Sequence, residues 1–152
     1  MSTFRHFEDF TVGQRFDLGE KHVTAEEIIA FAREFDPQPF HLSEEAGKQS
    51  MLGGLAASGW HTIAMLMRQL CDGLLLASSC VGSPGVDKVR WISPVRPGDR
   101  LKMSAEVIDT RILKSRPGLG IVRFVFTIAR ADDTQVMTQE NAIMFGCRET
   151  AA

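Results

Sequence analysis

Apolar residues recur with helical spacing in the N-terminal half of the chain and with a spacing of two through most of the C-terminal half. Ile28, Ile29, Phe31, Ala32 and Phe35 form the first helical set. Thr24 stands before it as an N-cap, and Glu27, three residues on, completes a capping box. This helix must stop near Phe35, because Asp36 precedes Pro37 and is pushed towards extended geometry; Gln38, before Pro39, is restricted in the same way. Residues 36–41 are therefore expected to form a stiff, non-helical loop. Ser43 with Glu44 and Glu45 starts a short second helix ending near Lys48, and the glycines at 53, 54 and 59 then interrupt any regular element. From Ser58 the helical spacing returns at Trp60, Ile63, Ala64, Met67, Leu70, Cys71 and Leu74, with Met65, Leu66, Leu75 and Leu76 filling the other sides. A helix apolar nearly all round is expected to be buried rather than amphipathic on a surface.

Strands account for most of the remainder. A turn at Gly13 leads into a short strand over 15–22. After Ser78 the period shifts towards two, and residues 86–92 read as a strand followed by the rigid connection Ser93-Pro94-Val95-Arg96-Pro97-Gly98-Asp99. Leu101, Met103, Ala105 and Val107 alternate with Lys102, Ser104 and Glu106, and Val122, Phe124, Phe126 and Ile128 alternate again after turn residues at 115–118. Asp132-Asp133 marks a hairpin turn, and residues 135–147 make the last long strand. Helices first and then a run of long antiparallel strands predict an α+β fold, a curved sheet around the buried helix. No internal repeat or low-complexity linker divides the chain, so residues 1–152 are expected to form a single domain with a frayed tail over 149–152.

Composition narrows the classes. The hydrophobic fraction of 44% and charged fraction of 24% are ordinary for a globular protein. A net charge of −2 without a dense Lys/Arg block argues against nucleic acid as a partner. Cys71, Cys80 and Cys147 are odd in number and widely spaced, with no metal-binding pattern, which points to reduced thiols. The N-terminal residues lack a signal-peptide core, and the apolar segment 60–77 is interrupted by His61, Arg68, Gln69 and Asp72, too polar for a membrane span. The expectation is a soluble, cytoplasmic protein with no membrane partner.

The chemistry-bearing residues concentrate between 36 and 59. A histidine titrates near neutrality and a carboxylate can orient or assist it, so Asp36 and His41 are candidate acid/base groups. Five fully extended residues span roughly 17 Å, so the pair can share one water only if the loop folds back. The bland alternative is a helix-terminating loop with a solvated acid and a surface histidine. At Ser58-Gly59 a helix begins, leaving N–H groups without internal partners beside a partial positive charge, where a glycine lets a ligand approach. A thioester oxygen gaining negative charge would be stabilised there; the alternative is small residues that merely permit tight packing of the helix entry. His61 is expected to be a packed or interface group, and His6 and His22 to lie on the surface. The methionines fit a core better than a metal site.

In this setting the sequence resembles the MaoC-like, (R)-specific enoyl-CoA hydratase family of hot-dog folds. The family loop D-x-N-P-x-H is similar to Asp36-Pro37-Gln38-Pro39-Phe40-His41, and V-T-x-x-D/E-I-x-x-F-A to the segment from Val23 to Ala32. The run A-H-G-M/L corresponds to Ala57-Ser58-Gly59-Trp60, and P-V-x-P-G-D stands unchanged at 94–99. Gln38 replaces the family's asparagine and Ser58 its histidine.

The resemblance implies a single hot-dog domain, a long antiparallel sheet wrapped around the central helix, assembled as a homodimer or higher homo-oligomer. It implies that Asp36 and His41 hold and activate the water added to a trans-2-enoyl-CoA to give an (R)-3-hydroxyacyl-CoA. Gly59, with Ser58 beside it, would form the oxyanion and substrate-binding site. The substrate would be an acyl-CoA or acyl-carrier thioester, with no metal or organic cofactor. Lys88, Arg90 and Arg96 are candidates for the CoA phosphates, with surface solvation as their alternative role. Two other readings are an acyl-CoA thioesterase, for which Asp72 is the one carboxylate inside the central helix, and a non-catalytic acyl-thioester binding subunit.

Overall fold

The structure is a computed structural model describing residues 3–149; of the expected tail, residues 150–152 lie outside the described residues. Five strands form one sheet in the order β1-β3-β4-β5-β2, every neighbouring pair antiparallel. They are β1 (Arg15–His22), β2 (Cys80–Trp91), β3 (Arg100–Ile112), β4 (Leu119–Arg130) and β5 (Gln135–Gly146). Three helices precede β2: α1 (Ala25–Phe35), α2 (Glu44–Lys48) and α3 (Gly59–Gly73). This is the hot-dog arrangement, an α+β fold with a curved antiparallel sheet around a central helix.

The period-two residues of the strands make the core. Val122, Phe124, Phe126 and Ile128 of β4 are fully buried, and Leu101, Met103, Ala105 and Val107 of β3 nearly so. They pack with Met65, Leu66 and Leu70 from one face of α3. Leu18 of β1 meets Gly73 at the far end of that helix, and Gln69 Nε2 donates to the Leu18 carbonyl at 2.9 Å. The capping box of α1 is formed in both directions, with Thr24 Oγ1 accepting from Glu27 N and Glu27 Oε1 accepting from Thr24 N.

Three details differ from the sequence reading. First, α3 is not covered all round: Trp60 is 64% and Met67 48% exposed. The sheet meets one side of the helix and α1 a second, where Phe31 stacks on His61 at 4.7 Å; the third side faces outward. Second, β2 begins at Cys80 rather than at residue 86, running straight through Gly82, Pro84 and Gly85. It is an edge strand, so the missing N–H of Pro84 costs no ladder bond, and both glycines take positive φ where the register against β5 shifts. Third, residues Pro39–His41 form one 3-10 turn rather than a non-helical loop. Pro39 supplies a preset φ at the first position of that turn, His41 N donates to Gln38 O at 2.9 Å, and Leu42 N to Pro39 O at 3.0 Å.

Candidate active site

That turn reverses the chain and brings His41 back onto Asp36. His41 Nε2 lies 3.4 Å from Asp36 Oδ2, both side chains largely buried. His41 Nδ1 is 2.7 Å from the Ala56 carbonyl, which can only accept, so Nδ1 carries a proton, and in the neutral form of the ring Nε2 presents its lone pair to the carboxylate. In that form two acceptors face each other, and a donor such as a water giving one hydrogen to each would join them.

Asp36 ends α1, its N–H donating to Ala32 O. Gln38 Nε2 donates to Oδ1 at 2.7 Å and Ser58 Oγ to Oδ2 at 2.7 Å. Burial pushes the Asp36 carboxyl upward, but the Ser58 and Gln38 hydrogen bonds and the neighbouring His41 outweigh it and hold the group below its ordinary range.

The segment 52–57 is strapped into place from three sides. Ala56 N donates to Phe40 O at 3.4 Å and Ala57 N to Val95 O at 2.9 Å. Glu44 accepts from Leu55 N at 3.1 Å. Arg96 donates to the carbonyls of Leu52 and Leu55, so its guanidinium is engaged in the scaffold rather than free for a CoA phosphate. A side chain at Gly47 of α2 would collide with the Gly54 backbone, which explains the small residues here. The motif at 94–99 serves the same scaffold: Asp99 Oδ2 accepts from Arg96 N at 2.8 Å and from Arg130 Nε at 3.2 Å.

At the start of α3, Ser58 caps the helix: His61 N and Thr62 N donate to its carbonyl, and Trp60 N to its Oγ. Among the described residues the Gly59 N–H has no protein acceptor. Trp91, at the end of β2, closes over this point. Its Nε1–H donates to Gly59 O at 3.1 Å, and a Cβ at residue 59 would lie 2.5 Å from Trp91 Cε2. The absent side chain is therefore space for the indole. One cavity of about 420 Å³ joins these parts, with Asp36, His41, Gly59, Thr62, Trp91 and Val95 on its wall.

The model of the MaoC-like domain matches residues 8–126. The chain belongs to the MaoC-like domain family. A MaoC-like dehydratase from Rhodospirillum rubrum is 40% identical and superposes with a TM-score of 0.88, covering 96% of this chain and 99% of that one. The R-hydratase PhaJ1 from Pseudomonas aeruginosa shares the fold at 22% identity and a TM-score of 0.75, over 97% of this chain and 92% of its own. Uncharacterized protein YdeM of Bacillus subtilis is 28% identical over 137 residues, 90% of this chain and 96% of that protein.

Within this MaoC-like chain, Asp36, His41 and Gly59 meet at one cavity, whereas Ser58 does not reach it. Its side chain is 0% exposed and its hydroxyl proton is engaged by Asp36, so it stands behind the carboxylate rather than against a substrate. Leu52 and Trp60 also line the cavity, while Leu55 turns into the core. Lys88 and Arg90 are exposed on β2, outside the cavity wall. Asp72 pairs with Arg68 on an exposed part of α3, far along the helix from Gly59. His61 is packed, and its burial lowers its pKa; His22 is exposed and His6 half-buried. Trp91 and Thr62 were missed by sequence reasoning. Only the closeness of Trp91 to the 94–99 motif hinted at it, and Thr62 carried no signal beyond its place one turn into α3. No helix among the described residues is long and apolar enough to cross a membrane.

Proposed function

We propose that the protein is a hydratase/dehydratase that adds water reversibly to the double bond of a trans-2-enoyl-CoA thioester, giving an (R)-3-hydroxyacyl-CoA. The observation that carries this reading is the 3.4 Å juxtaposition of Asp36 Oδ2 and His41 Nε2, with Nδ1 tied to Ala56 O. Two adjacent acceptors hold a water by both its hydrogens, leaving its oxygen lone pairs directed into the cavity. As that oxygen bonds to the β-carbon, one water proton passes to His41 Nε2. The π electrons move through the α-carbon onto the thioester oxygen. The Gly59 N–H and the positive end of α3 stabilise the resulting enolate, a contribution typically worth ~10²–10³ in rate. The imidazolium, with Nδ1–H on Ala56 O and Asp36 beside it, then returns a proton to the α-carbon on the same face. The water supplies hydroxyl and proton, so the step needs no metal or organic cofactor, and only the thioester enters as a partner.

The reading also takes the protein as a single domain that works as a homodimer or higher homo-oligomer. In support, the unpaired edge of β2 and the outward side of α3 carry exposed Val81, Val86, Trp91, Trp60 and Met67, an apolar band that a second copy would cover. The test is a panel of crotonyl-CoA and longer enoyl-CoAs followed by the loss of conjugated enoyl absorbance, with chiral analysis of the product. The expected product is the (R)-3-hydroxyacyl-CoA. Release of free CoA thiol without hydration would replace this reading with a thioesterase, and binding without turnover across the panel with an accessory subunit.

A further inference from the structure

We propose that Ser58 is a positioning residue for the reaction, its hydroxyl linking the N-terminus of α3 to the Asp36 oxygen that faces His41. The proposal rests on the hydratase reading for its catalytic meaning, but its geometry stands apart from it. Ser58 Oγ accepts from Trp60 N at 3.3 Å and donates its one proton to Asp36 Oδ2 at 2.7 Å. The same Oδ2 is the atom 3.4 Å from His41 Nε2. Gln38 Nε2 holds the other oxygen at 2.7 Å, so the carboxylate plane is pinned from both sides. Gln38 and Ser58, which stand where the family motifs have asparagine and histidine, are the two residues whose side chains donate to Asp36.

The carboxylate needs such support. Asp36 closes α1 at the C-terminal end, where the helix dipole disfavours negative charge, and burial disfavours it further. Ser58 answers both. A donor polarised by an N-terminal helix N–H stabilises the ionised form, and a hydroxyl with its only proton engaged by Asp36 leaves Oδ2 as an acceptor for the water shared with His41.

The test uses the full chain with Ser58→Gly, Ser58→Ala and Ser58→Thr. Glycine removes the hydroxyl but remains a tolerated N-cap, so the Ser58→Gly variant separates the relay from helix capping. Two readouts apply: titration of the Asp36 carboxyl carbon by NMR, and the pH profile of enoyl-CoA hydration. In Ser58→Gly the Asp36 titration is expected to move up by about one pH unit, with kcat falling about ten-fold or more and KM little changed. Ser58→Thr should return both towards wild type. An Asp36 titration that stays put in both Ser58→Gly and Ser58→Ala would overturn the proposal, as would a folded Ser58→Thr as impaired as Ser58→Gly. If the titration moves as expected but the wild-type protein hydrates no enoyl thioester, the link stands and the hydratase reading falls.

Discussion

Replacing Gly59 by alanine puts a methyl group into the Trp91 indole. The added Cβ would stand 2.5 Å from Cε2, 2.7 Å from Nε1 and 2.9 Å from Cζ2, against a comfortable carbon–carbon separation of about 3.5–4.0 Å. The helix start is held by the Ser58 cap and by the hydrogen bonds of 56 and 57, so the indole is the side that yields. It must retreat by about 1 Å, which breaks the Nε1–H bond to Gly59 O. Overpacking costs about 1–3 kcal/mol and the lost bond about 1 kcal/mol. Trp91 is half exposed and can swing outward, so the net is expected at the lower end, about 2 kcal/mol, or roughly 4–8 °C in Tm for a chain of this length. Hydration should fall by about 10²-fold as the Gly59 N–H loses its setting. Thermal melts and initial rates measure both. Trp60 and Trp91 are the chain's two tryptophans and meet edge-to-face at this point, so fluorescence reports the displaced indole directly. Trp91→Ala in the Gly59→Ala background should recover most of the lost stability, a strongly non-additive pair. A Gly59→Ala protein with unchanged melt and unchanged fluorescence, or a double variant whose losses simply add, would refute the reasoning.

Other expectations follow from the same geometry. The ionised Asp36 is favoured in the folded state, so its contribution is present above the unfolded carboxylate range and is lost as pH falls through its lowered native pKa. The stability difference between wild type and Asp36→Asn, read from denaturant titrations, should therefore be full above about pH 4 and close below it. Arg96→Ala removes the hydrogen bonds that hold the carbonyls of Leu52 and Leu55; it should raise KM and lower stability by about 2 kcal/mol, measured by saturation kinetics and melts. Thr24→Ala removes the α1 cap and should cost about 1 kcal/mol with kcat unchanged.

Much of the architecture is written locally and could be read without coordinates. The capping box at Thr24 and Glu27 sets the start of α1, the proline after Asp36 sets its end, and strict alternation from Val122 to Ile128 sets the inward face of β4. These depend on neighbours within a few residues. Where a distant partner decides the outcome, the pattern misleads. Gly82, Pro84 and Gly85 look like breaks, yet an edge strand tolerates them because one side of its backbone has no ladder to lose. The apolar residues of α3 look uniformly interior, yet the sheet and α1 cover only part of the helix. Asp36 and His41 were recognisable as an acid and a base, but their contact depends on the 3-10 turn at Pro39. The Trp91–Gly59 contact joins residues 32 apart in sequence and left no trace in spacing. Ser58 was expected at the oxyanion site, and its full burial with its hydrogen bond to Asp36 places it behind the carboxylate, off the cavity wall.

The central claim is that Asp36 and His41 together deliver water to a conjugated thioester. Its most direct test is kcat/KM for crotonyl-CoA or a longer enoyl-CoA in wild type, Asp36→Asn and His41→Ala, each confirmed folded by circular dichroism. Removal of a positioned acid/base group is expected to lower the rate by about 10²–10⁴-fold in either variant, with the melting profile kept cooperative. Hydration at the wild-type rate in either folded variant would contradict the account.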